Sequence, residues 1–163
     1  MKKLYTLLLF FFGAFLTVNG QVHINEYSAA NLNNILDNYE RTEDWIELYN
    51  DSDIDMNIGG YHLSDKSSKP AKWEIPQGTV IPAKGFLVFW CSGRDEMCDN
   101  NVFHTNFKLT QTKDNETLLF TMPDETIIDE IPLGLVLVEP KPQTPNPNPG
   151  YIFCQSIDSS LLK

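Results

Sequence analysis

Three aspartates alternate in the stretch DSDIDMNIGGYH, at Asp51, Asp53 and Asp55. Carboxylates at alternate positions are what a calcium loop offers, because a hard cation is held by many oxygen ligands at once. The helix-loop-helix calcium loop also requires a glycine at its sixth position and a glutamate at its twelfth. Here those positions hold Met56 and His62, so that loop is excluded. A looser calcium site in an end loop is the one cofactor candidate, set against a plain solvated acidic turn. His23, His62 and His104 stand far apart, with no HxH or HExxH spacing that would gather a metal or build an acid-base pair. No GxSxG elbow, glycine-rich phosphate loop or cysteine-histidine arrangement occurs. Asp124, Glu125, Asp129 and Glu130 flank a hairpin and read as solvent-side charges. The expectation is a non-catalytic protein.

Two further sets of residues carry chemistry of another kind. Cys91 and Cys98 are separated by SGRDEM, a length that suits a loop between two strands. A bridge there would stabilise by about 2.5 kcal/mol through the entropy of the closed loop. The alternative is a small buried apolar residue at Cys91 and a loop thiol at Cys98, and spacing alone does not decide between them. Trp45, Glu47 and Tyr49 share one face of a strand. With Tyr61, Trp73 and Trp90 in the same fold, they could form an aromatic platform on which sugar rings stack. Trp45, Glu47 and Tyr49 are therefore the candidate ligand face.

The elements that would position these residues begin after the first twenty. Lys2 and Lys3 form a basic head, and residues 4–18, LYTLLLFFFGAFLTV, form an apolar run. Val18-Asn19-Gly20 ends that run with short side chains. The pattern is that of a secretory signal peptide cut before Gln21. A membrane-spanning helix would need roughly 20 apolar residues, more than this run supplies. The expected product is exported, secreted or on the cell surface, and does not span the membrane. Loss of the two lysines would take the net charge from −10 to −12. Such a surface does not suit nucleic acid or an anionic membrane, both of which call for clustered Lys and Arg.

Beyond residue 21 the chain is a series of short apolar runs broken by turn residues, with no segment of helical period and length. The runs are QVHINEYSA, DWIELYN, YHLSD, AKWEI, FLVFWC, VFHTNFKL, ETLLFTM and TIIDEI. This spacing predicts an all-β sandwich or barrel. Residues 31–44 read as a loop with one helical turn, and the segment after Cys91 reads as a polar loop carrying Cys98. In DWIELYN, side chains alternate between the two faces. Burying Ile46 and Leu48 buries no charge, whereas burying the other face takes Glu47 out of water at a cost of several kcal/mol. Ile46 and Leu48 are therefore expected to face the core. Trp45, Glu47 and Tyr49 are expected on the outer face or beneath the 31–44 loop.

INEYSAAN, DWIELYNDSD, GGYHLSD, KWEIPQGTVIPAKGFLVFW, HTNFKL and ETLLF followed by IIDEI occur in this order. Together they resemble bacterial secreted lamin-tail domains over about residues 22 to 131. The resemblance implies an immunoglobulin-like β-sandwich. It also implies an accessory module that accompanies nucleases, phosphatases or CotH-like domains in larger exported proteins. It transfers no catalytic residue. The chromatin contacts of nuclear lamins are not implied, since the basic residues they would need are absent here.

The expected organisation is a signal peptide at 1–20, a β-sandwich domain at 21–137, and a proline- and asparagine-rich linker with a tail at 138–163, dispensable for folding. The expected role is a non-catalytic binding, adhesion or scaffolding module, the N-terminal part of a larger protein. Its partner would be a protein or polysaccharide at the cell surface. The alternatives are a carbohydrate-binding module built on Trp45 and Tyr49 and a structural spacer without a ligand.

Overall fold

The computed structural model describes residues 22–32, 35–110 and 116–133. The expected leader, the 137 boundary and the 138–163 tail lie outside the described residues. The elements are β1 (Val22–Ser28), β2 (Asp44–Asn50), β3 (Met56–Asn57), β4 (His62–Ser64), β5 (Trp73–Glu74), β6 (Val80–Ile81), β7 (Phe86–Cys91), β8 (Glu96–Cys98), β9 (Val102–His104), β10 (Glu116–Thr121) and β11 (Ile127–Leu133). Five strands pair in the order β1-β2-β7-β9-β8, and four in the order β11-β10-β4-β5. A small ribbon of β3 and β6 completes the set. The fold observed is all-β, as the strand spacing predicts, and an immunoglobulin-like sandwich, as the resemblance implies.

The two larger sheets bury one shared core. Ile24, Ile46, Leu48, Phe89 and Phe103 come from the five-stranded sheet; Leu63, Trp73, Leu118 and Phe120 come from the other. Trp73 meets Phe89 edge to face across the interface, with ring centroids 5.9 Å apart. Pairs of this kind add roughly 0.5–1.5 kcal/mol to the burial of their area. Ile46 and Leu48 have no exposed surface, so the aliphatic face of DWIELYN is the inner one, as its charge pattern requires. The edges of the two sheets are tied where the Asp129 carboxylate accepts the Ile24 N–H at 3.0 Å. That bond occupies a backbone donor that an edge strand would otherwise leave open.

One strand, β8, falls in the segment after Cys91 that the polarity of the sequence suggests is a loop. β8 and β9 form a hairpin whose connection holds Asn100 and Asn101 at φ 59. Asparagine tolerates that left-handed backbone better than most residues. The hairpin inserts β9 beside β7 as the parallel pair of the sheet. Among the described residues of 31–44 no helical turn is present.

The cysteine expectation is corrected. Cys91 is a free thiol, fully buried in the core between the sheets. Cys98 packs with Trp45, Trp90 and Val102 in a separate cluster. Cys91 is free whereas Cys98 is disulfide-bonded, so no bridge joins the two. Burial pushes the Cys91 thiol well above its ordinary value. Cys91 is the small apolar residue of the alternative reading.

Candidate functional site

The outer face of the five-stranded sheet is laid out in cross-strand rows. His23 pairs with Tyr49, and Tyr49 with Phe86. Glu26 pairs with Glu47, and Glu47 with Val88. Ser28, Trp45, Trp90, His104 and Glu96 form the third row, running across all five strands. The rows differ in what lies over them.

The third row is covered by a strap, residues 35–43. Ile35 packs against the Trp45–Trp90 cluster, leaving Trp45 only 8% exposed. Asn31, itself buried, closes the strap at its base. Its amide donates to the Ile35 carbonyl at 2.7 Å and to the Glu43 carbonyl at 2.9 Å. Asp37 turns the strap by accepting the N–H groups of Tyr39 and Arg41 at 2.9 and 2.8 Å. Asn38 fastens it to the sheet by accepting from His104 Nε2 at 2.7 Å and donating to Cys98 Sγ at 3.5 Å. The Arg94 guanidinium lies 4.2 Å from the Tyr39 ring centre, and Lys108 pairs with Glu43 at 3.1 Å. The loop expected to cover Trp45 does so, and it is held mainly by polar bonds.

In the middle row Glu26 is exposed, Val88 half-buried and Glu47 buried. Glu47 is 6% exposed, and its carboxylate accepts from Asn25 Nδ2 at 2.7 Å. Asn25 can reach it because the register shifts between Ile24 and Glu26, a bulge that turns its side chain toward β2.

The first row is uncovered. Tyr49 stacks on Phe86, with centroids 4.5 Å apart and planes 25° apart. His23 meets Tyr49 near-perpendicularly at 5.6 Å. Tyr49 is thus flanked on both sides, and Phe86, 39% exposed, is the accessible ring. Of the predicted ligand face, Trp45 and Glu47 are buried and Tyr49 is half-buried with one ring face stacked on Phe86. Phe86 and His23 take their place in the exposed row. Sequence alone could have found them only through the register that aligns them with Tyr49.

The three aspartates do not converge on an open cation site. Lys84 Nζ donates to the Asp51 carbonyl at 2.9 Å and to Asp51 Oδ1 at 3.1 Å, and lies 3.5 Å from Asp53 Oδ1. Asp55 instead accepts the Ala83 N–H at 2.9 Å. The hydrogen bond to Asp51 holds the Lys84 ammonium above its ordinary value. An internal cation thus sits among the carboxylates a calcium ion would use. The melting temperature is expected to stay unchanged in about 5 mM calcium, because a ligand stabilises only what it binds in the folded state. A rise in the melt with calcium, abolished in Asp53→Asn, would show that the ion displaces Lys84.

Glu96, Cys98 and His104 bring ligand-type atoms within 4.8 Å of one another, a proximity the sequence spacing hides. They do not make a metal centre. Both His104 nitrogens are engaged, Nε2 by Asn38 and Nδ1 by Ser92 Oγ at 2.9 Å. The Cys98 sulfur already takes the Asn38 amide hydrogen.

The outer face thus carries a strapped Trp45–Trp90 row at one end and the exposed ring of Phe86 at the other. No curated protein matches the chain. The lamin tail domain family model matches residues 17–134, in keeping with the ordered motifs and the immunoglobulin-like sandwich. The chain belongs to the lamin tail domain family.

Proposed function

We propose that this chain is a non-catalytic binding module of an exported protein. Its contact surface is the uncovered end of the outer face, with Phe86 at its centre. The observation that carries this reading is the exposed ring of Phe86, stacked on half-buried Tyr49 with half-buried His23 beyond it, on a sheet whose Trp45–Trp90 row is strapped over. An apolar ring held on a rigid sheet loses little conformational entropy on binding, so aromatic anchors dominate many interfaces. The basic head and apolar run of residues 1–20 support export, and the acidic balance favours a protein or polysaccharide partner over nucleic acid. The proline-rich run after the domain supports a place in a larger secreted or cell-surface product, as in the secreted relatives it resembles.

The test uses labelled protein from residue 21 onward, washed cells of its own source and a panel of purified polysaccharides. Binding to cells is expected, weakened at least about tenfold by Phe86→Ser, the loss of roughly 1.4 kcal/mol at a contact residue. The melting temperature should hardly move. Equal binding by Phe86→Ser would place the contact elsewhere. Saturable binding to one polysaccharide would favour the carbohydrate reading with Phe86 as the stacking ring. Absence of binding to cells and polysaccharides alike would leave a spacer.

A further inference from the structure

We propose that the 35–43 strap is an acid-released cover whose catch is His104, and that its release uncovers Trp45 and Trp90 on the same outer face as the Tyr49–Phe86 row. The proposal goes beyond the binding reading, because strap opening can be measured whether or not the face has a partner.

The catch is an imidazole with no exposed surface, and it is this burial that opposes the charged form. The Asn38 amide is oriented by its donation to Cys98 Sγ, so its oxygen faces His104 Nε2 and must accept a proton from it. Nε2 therefore carries the ring hydrogen, and Nδ1 is an acceptor for the Ser92 hydroxyl. A second proton can go only to Nδ1. There the Ser92 hydroxyl must turn its hydrogen away and accept from Nδ1 as well as from the Arg94 N–H at 3.3 Å, which costs the hydroxyl its own donation to the ring. The ring itself has no exposed surface. An imidazolium at this place has no water, and a strap that swings away supplies it.

The charges around the ring come from every element packed on it. Asp37 and Glu43 on the strap and Glu96 on β8 favour the charged form, whereas Arg94 disfavours it. Burial outweighs them and holds His104 below the ordinary imidazole value. Tyr39, whose ring meets His104 at 5.5 Å, is neutral; burial and then its bond to Glu96 hold its hydroxyl above the ordinary value. The sign follows. The open strap gives His104 an ordinary value near 6.5 and the closed strap a lower one, so closure is fully favoured above about 6.5 and weakens as pH falls toward the lower value. The strap is suited to local release because, among the described residues, polar bonds hold it with only Ile35 and the Tyr39 ring packed beside them.

Hydrogen exchange of the whole protein, corrected for the intrinsic rate at each pH, reads the opening directly. Between pH 7.5 and 5, protection of residues 35–43 should fall by up to about tenfold per pH unit, the limit for one coupled proton. Protection of β10 should stay constant. His104→Gln, neutral throughout, should flatten the pH dependence. Asn38→Ala keeps the histidine and the core, and should leave the strap open already at pH 7.5. Protection of 35–43 that is constant with pH while the His104 ring titrates by NMR would overturn the proposal. So would protection that rises on acidification, which would mean that Asp37 and Glu96 capture the imidazolium in the closed state.

Discussion

Leu48→Asp is expected to unfold the domain at neutral pH. Leu48 has no exposed surface and lies in the core shared by both sheets. The change removes a packed side chain, worth about 2–5 kcal/mol in comparable Leu→Ala cases, and adds a carboxylate with no partner. Together these approach the roughly 5–15 kcal/mol that holds most domains folded. Ile46→Asp should behave alike, being equally buried in the same core. One residue along, Glu47→Gln should cost about 1 kcal/mol or less. The amide keeps an oxygen to accept from Asn25 and relieves a desolvated charge. Urea melts followed by far-UV circular dichroism measure all three. A folded Leu48→Asp beside an unfolded Glu47→Gln would reverse the assignment of the two faces.

The second large effect is expected at Asn50. Its side chain is fully buried at the end of β2. Its amide nitrogen lies within 2.8 to 3.0 Å of the Ile54, Ile81 and Pro82 carbonyl oxygens. Its oxygen accepts the Ser52 N–H at 3.0 Å and the Ser52 hydroxyl at 2.6 Å. One amide thus joins β2, the acidic 51–55 turn and the β6–β7 connection. Asn50→Asp keeps the shape but turns a donor into an acceptor facing carbonyl oxygens. The expected cost is about 3–5 kcal/mol, that of leaving a buried charge unpaired. Protonation would restore one donor, so the variant should regain stability as pH falls and lose it as pH rises, the sign for a carboxyl raised in the folded state. Paired thermal melts of wild type and variant between pH 7 and pH 4 measure both effects. A variant within about 1 kcal/mol of wild type at neutral pH, a typical shift for a point change, would show that Asn50 is not the joint of this end of the sandwich.

Much of this protein was legible without coordinates, and the reason lies in period and charge. Alternation in DWIELYN, with Glu47 between Trp45 and Tyr49 and the aliphatic Ile46 and Leu48 opposite, decided which face enters the core. The short apolar runs between turn residues carried the all-β fold, because strand signals are local. The failure of the calcium loop at Met56 and His62 was equally local, as was the absence of a catalytic motif.

What tertiary structure decided was everything that depends on which strands are neighbours. Register, invisible in one strand, places Phe86 and His23 beside Tyr49 and so moves the exposed row away from Trp45. Packing puts Cys91 in the core and Cys98 in the Trp45–Trp90 cluster, which their six-residue spacing could not reveal. His104 looked isolated because its partners Asn38 and Ser92 are 66 and 12 residues away in sequence. Lys84 reaches the Asp51 carboxylate across 33 residues. A sequence dictates period, polarity and turns one segment at a time. Hydrogen bonds and ion pairs between distant side chains exist only once the sheets have brought them within about 3 Å.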